Sequence, residues 1–132
     1  MDFIIGGCCQ GKKDYVKQQY HFAENDFICA EDLIYNDMQG KRCLTDFHLF
    51  VKNLMEKEQN VEENVLELLK KNDICVIFSD EIGYGIIPID AFEREYREAV
   101  GRQSCILAQK ADRVVRVMSG IGIVIKDDNL SK

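Results

Sequence analysis

Three apolar residues, Phe3–Ile5, run straight into Gly6-Gly7-Cys8-Cys9-Gln10-Gly11-Lys12, and a helical stretch follows to about Phe22. A strand that ends in a glycine-rich loop and re-enters the chain as a helix limits the choice of fold sharply. The spacing fits GxxxxGK in the strand–loop–helix setting which that motif requires. Glycines let consecutive backbone N–H groups turn inward around phosphate oxygens, the helix N-terminus adds partial positive charge, and the lysine reaches the outer phosphates. Gly6, Gly7, Cys8, Cys9, Gln10, Gly11, Lys12 and Lys13 are therefore the expected nucleotide-binding residues, with Lys12 also in a catalytic role. The eighth position departs from the pattern. A Ser or Thr hydroxyl normally follows the lysine and ligates Mg²⁺; Lys13 cannot ligate a cation and would repel one. Phosphate binding without this metal ligand, and a glycine-rich turn that binds no nucleotide, both stay open.

Further along, Ile74–Phe78 is a continuous apolar run, which suits a strand buried on both faces of a parallel sheet. It leads into Ser79-Asp80-Glu81. An aspartate at the end of a buried strand near a phosphate loop can hold the metal, and a neighbouring glutamate can orient or deprotonate the attacking group. Asp80 is thus the expected metal residue and Glu81 the second expected catalytic one. Acidic residues at a strand end are also common as plain solvated loop residues.

Between these motifs, Phe27–Ala30 reads as a second short strand and Gln39–Arg42 as a loop. Asp46 caps a helix carrying Phe47, Phe50, Val51 and Leu54, and Val61, Val65, Leu66, Leu68 and Leu69 mark another that ends near Lys70–Lys71–Asn72. Gly83, Gly85 and Pro88 mark a loop. Asp90 caps a long helix from Ala91 to about Ala111. Asp112–Met118 alternates, Ser119–Gly122 turns, and Ile123–Ile125 returns as an antiparallel edge strand. Strands separated by helices give a three-layer, P-loop NTPase-like α/β fold over residues 1–132 as one domain. Its sheet is mostly parallel, with helices on both faces and a C-terminal antiparallel edge strand. Ligands in such sheets bind at the carboxyl ends of the strands, where Gly6–Lys13 and Ser79–Glu81 both fall.

A formal charge of −6 with no basic face argues against a general nucleic-acid binder. The longest apolar runs are too short to span a bilayer. No export signal is read, so the six cysteines are expected as reduced thiols in a cytoplasmic protein, without the paired spacing of a zinc site.

The stretch Glu81-Ile82-Gly83-Tyr84-Gly85-Ile86-Ile87-Pro88, with Arg94, Tyr96-Arg97, Gly101-Arg102, Leu107-Ala108, Ala111-Asp112-Arg113-Val114, Ser119-Gly120-Ile121-Gly122 and Lys126, carries a specific resemblance. It resembles the bifunctional cobinamide kinase / cobinamide-phosphate guanylyltransferase family of cobalamin biosynthesis over about a third of the chain. The resemblance implies GTP or ATP as the nucleotide, phosphorylation of a cobinamide hydroxyl, and a homotrimer. The departures are Cys9, Gln10 and Lys13 in the phosphate loop, Ser104-Cys105 where Asn-Gln is expected, and Asp80 for the usual asparagine. The family's guanylylated histidine has no counterpart in its usual context: the segment between the first helix and Cys43-Leu44-Thr45 is short, and only His21 and His48 occur. Helical histidines of this kind are usually structural or exposed. Three readings follow: a kinase of the cobinamide type, a nucleotide-binding or regulatory relative without catalysis, and a plain partner-binding α/β domain.

Overall fold

The computed structural model describes residues 1–7, 10–82 and 90–128. Cys8 and Cys9 of the expected phosphate loop and the loop at Gly83, Gly85 and Pro88 lie outside them. The elements run β1 (Asp2–Gly6), α1 (Lys12–Tyr20), β2 (Phe27–Cys29), β3 (Cys43–Thr45), α2 (Phe47–Glu56), α3 (Val61–Lys71), β4 (Val76–Asp80), α4 (Ala91–Lys110), β5 (Arg113–Met118) and β6 (Ile121–Asp127). They form one six-stranded sheet of order β2-β3-β4-β1-β5-β6. The first five strands are parallel and β6 pairs antiparallel with β5.

Alternation along the strands sends side chains to two cores. Phe3, Leu44, Ile77 and Val114 pack with Phe47, Val51, Val65, Leu68, Tyr96 and Leu107 of α2, α3 and α4. Ile4, Cys43, Val76, Phe78, Val115 and Val117 pack with Val16 of α1 on the other face. The expected three layers are present, one helix against three. Near-continuous apolar character in β4 follows from this two-sided burial.

Two differences from the sequence reading bear on the site. The strand β4 starts two residues later than Ile74, because the Cys75 N–H bonds the Arg42 carbonyl at 2.9 Å before the ladder begins. That shift carries Ser79 and Asp80 into the strand and sets Asp80 opposite Gly6 in the parallel register. The short β3 is not foreseen from sequence at all: its three residues are wholly buried between β2 and β4. Lys126 closes the far end of α4, its ammonium donating to the carbonyls of Ala108, Gln109 and Ala111 at 3.1, 3.1 and 2.7 Å. A cation on the last carbonyls complements the helix dipole.

Candidate nucleotide site

The site forms where β1 gives way to α1. Gly6 lies so close to β5 that a Cβ there would stand 2.6 Å from the Val117 carbonyl oxygen, so only glycine fits. Gly11, at φ +85°, occupies the left-handed region just before the helix, a conformation glycine adopts without steric cost. Between them the Gln10 carbonyl accepts the Gly120 N–H and its side-chain oxygen accepts the Ser119 N–H, both at 2.8 Å. The phosphate loop is thereby tied to the β5–β6 turn.

No side chain caps α1, so the N–H groups of its first turn remain available for an anion at a positive helix end. They border a cavity of about 490 Å³ lined by Gln10, Gly11, Lys12, Lys13, Asp14, Cys29, Thr45, Asp46, Phe78 and Asp80. Lys12 is almost wholly buried, at 7% exposure. Its ammonium donates to Asp80 Oδ1 at 2.6 Å and to the carbonyls of Gly6 at 3.2 Å and Gly7 at 2.8 Å. The lysine of the loop and the acid of β4 thus meet directly, joined by the Gly6–Asp80 register.

Two expected residues are held by other partners. Lys13 pairs with Glu24 at 2.8 Å and lies 5.0 Å over the Phe27 ring, so its ammonium is already engaged although the residue lines the cavity. Lys17 binds the same carboxylate, and the two lysines pull Glu24 well below the usual carboxylate range. Glu81 is held by Arg116 in a two-point pair, Nε to Oε1 at 2.7 Å and Nη2 to Oε2 at 3.1 Å. With Gly7, Gln10, Val117 and Met118 this pair borders a second, smaller hollow on the other side of the loop.

Sequence reasoning missed two members, Asp46 and His48. Asp46 occupies the helix-cap position expected of it, but its side chain makes no cap bond. Its Oδ2 instead accepts the Cys29 thiol at 3.3 Å and the Thr45 hydroxyl at 3.2 Å. His48, read as structural, is buried and its Nδ1 accepts the Asp80 N–H at 3.2 Å. Burial holds the imidazole below its ordinary pKa, against the opposing pull of Asp80 and Asp46. Burial likewise raises the Cys29 thiol. Ligand atoms of Asp46, His48 and Asp80 all lie within 4.8 Å of one another. The available signal was Asp-x-His directly after a strand, legible only once Cys43–Thr45 is known to be that strand. His21 sits at the opposite end of α1, exposed, about 13 Å along the helix from the loop at 1.5 Å per residue.

No helix among the described residues is long and apolar enough to cross a membrane. The family model for cobinamide kinase / cobinamide phosphate guanyltransferase matches residues 16–125. The bifunctional adenosylcobalamin biosynthesis protein CobU of Salmonella typhimurium is 34% identical over 73 residues, and that of Escherichia coli is equally so. The aligned stretch covers 52% of this chain and only 40% of each relative. The match to the family model begins after Gly6–Lys13.

Proposed function

Since the chain belongs to the cobinamide kinase / cobinamide phosphate guanyltransferase family, we propose that it binds GTP or ATP at Gly6–Lys13 and transfers the terminal phosphoryl group to a cobinamide hydroxyl. The observation that carries this reading is the Lys12–Asp80 pair at 2.6 Å, at the start of an uncapped helix and beside the cavity. Loop N–H groups and Lys12 surround the outer phosphates, and Lys12 exchanges Asp80 for phosphate oxygens as nucleotide enters. Asp80 is then free to face a cation. The carboxylates of Asp80 and Asp46 would supply the oxygen donors that Mg²⁺ prefers, and such an ion would neutralise charge on the phosphates. The acceptor oxygen forms its bond to the γ-phosphorus as the bond to the β-phosphate oxygen breaks, and its proton leaves to a base at the rim. Glu81 would serve that acceptor side, with Arg116 pairing its carboxylate at two points.

For the companion guanylyl transfer, neither histidine offers an evident nucleophile. His48 turns both ring nitrogens toward Asp80, and His21 stands at the far end of α1. We also propose self-assembly, as a homotrimer by family resemblance, through the β5–β6 edge. Met118, Ile121, Ile123, Val124 and Ile125 are all exposed there, an unusual load of apolar surface for an edge strand. A cytoplasmic location fits the free thiols of Cys29, Cys43, Cys75 and Cys105.

The test is transfer of label from γ-³²P-GTP or γ-³²P-ATP to cobinamide, followed by chromatography. Labelled cobinamide phosphate, lost in Lys12→Ala, supports the kinase. Tight nucleotide binding with no labelled product supports the second reading, a nucleotide-binding relative without turnover, which the Glu81–Arg116 pair and Lys13 favour.

A further inference from the structure

We infer that His48 is a positioning residue that holds Asp80 from both its main chain and its side chain, and that it does not ligate metal. His48 lies in the first turn of α2 and is 8% exposed. Its Nδ1 accepts the Asp80 N–H at 3.2 Å. A ring nitrogen that accepts carries no proton, so the neutral ring holds its proton on Nε2. That Nε2 faces Asp80 Oδ2 at 3.6 Å, beyond hydrogen-bond distance but close enough for the N–H dipole to act on a carboxylate. The main chain that carries the ring is held as well, because the Tyr96 hydroxyl donates to the His48 carbonyl at 3.1 Å in a buried contact.

The carboxylate of Asp80 is consequently oriented on both oxygens. Lys12 takes Oδ1 and His48 faces Oδ2. This orientation decides where Asp80 meets a phosphate-bound cation once Lys12 moves to phosphate. The inference rests on the reading of Asp80 as part of the phosphate site. The spacing of Asp46, His48 and Asp80 would let a divalent ion span all three, but the imidazole has no lone pair to offer. Nδ1 is engaged by an N–H, and Nε2 carries the proton. Ligation would need either an imidazolate or rupture of the bond to the Asp80 main chain.

Two-bond ¹H–¹⁵N spectra of the ¹⁵N-labelled protein test this directly, with His21→Gln identifying the remaining histidine. We expect His48 in the Nε2–H tautomer at pH 7, unchanged by one equivalent of Zn²⁺. An Nδ1–H tautomer, or a Zn²⁺-induced shift of Nε2 with loss of its proton, overturns the inference. As the functional arm, His48→Leu should weaken nucleotide binding in Mg²⁺ several-fold, up to about tenfold, the scale of one lost hydrogen bond between neutral groups. His48→Gln, whose amide reaches the carboxylate, should recover part of it. Unchanged affinity in a folded His48→Leu protein also overturns the inference. Should Lys12→Ala leave nucleotide affinity intact, the phosphate-site reading fails instead, while the spectra still report on the ring.

Discussion

Replacing Asp80 with Asn removes one charge from the pair at the centre of the site while keeping its shape. The two side chains are 8% and 22% exposed, and the ions stand 2.6 Å apart. At that distance unit charges attract by roughly 6 kcal/mol with an effective dielectric near 20, a gross figure from which desolvation must be subtracted. Breaking one partner of a buried pair costs about 3–5 kcal/mol, because the other charge is left uncompensated. Lys12 keeps its bonds to the Gly6 and Gly7 carbonyls, and an Asn oxygen still accepts. The loss should therefore sit at or below the lower end, about 2–3 kcal/mol. For a chain of this size that corresponds to a fall in Tm of roughly 6–10 °C. The same change frees Lys12, so nucleotide affinity without Mg²⁺ should rise in Asp80→Asn while the gain on adding Mg²⁺ disappears. Thermal unfolding by circular dichroism measures the first effect and calorimetry with and without Mg²⁺ the second. A Tm within about 1 °C of wild type would refute the stated strength of the pair. A Mg²⁺-dependent gain that survives would refute the role of Asp80.

Lys13→Ser should leave Tm nearly unchanged, because Lys13–Glu24 is an exposed pair, and should increase the Mg²⁺-dependent part of nucleotide affinity by calorimetry. Complete loss of binding in that variant would mean Lys13 itself contacts phosphate. Gly101 lies inside α4, where a Cβ would meet nothing within 4 Å, so Gly101→Ala should stabilise by about 0.5–1 kcal/mol in urea titrations. Destabilisation would show that something packs closely against that helix face. Burial pushes the Tyr96 hydroxyl up to about 12, and burial with the bond to Asp2 raises Tyr20 as well. The folded chain therefore keeps protons that the unfolded chain releases above pH 10, so this stability is whole below pH 10 and is lost as pH rises through about 12. Tyr96→Phe should flatten the decline in stability above pH 10, and an unchanged slope would contradict the assignment.

Much of the architecture was legible because its signals are local. A glycine loop after Phe3–Ile5, the apolar run at Ile74–Phe78 and the Asp90 cap each reflect constraints within a few residues, and Asp90 does accept the Phe92 N–H at 2.8 Å. The strand β3 was not legible, since three buried residues carry no period and owe their conformation to flanking strands. Losing β3 hid the rest of the site. Without it Asp46 is merely a helix cap and His48 an apolar-stripe neighbour, whereas the fold sets both against Asp80, more than thirty residues later. Charge partners were equally hidden. Nothing near Glu81 in the sequence announces Arg116, and nothing near Lys13 announces Glu24, because both pairs are made by chain crossings.

In the proposed function the loop from Gly6 holds the phosphates of a nucleotide beside Lys12 and Asp80. Calorimetric titration of wild-type protein and Lys12→Ala with GTP and with ATP, each with and without Mg²⁺, tests it most directly. We expect saturable binding of at least one nucleotide by the wild type, lost in Lys12→Ala at the same concentrations. Binding of equal strength in both proteins, or none in a correctly folded wild type, would contradict it.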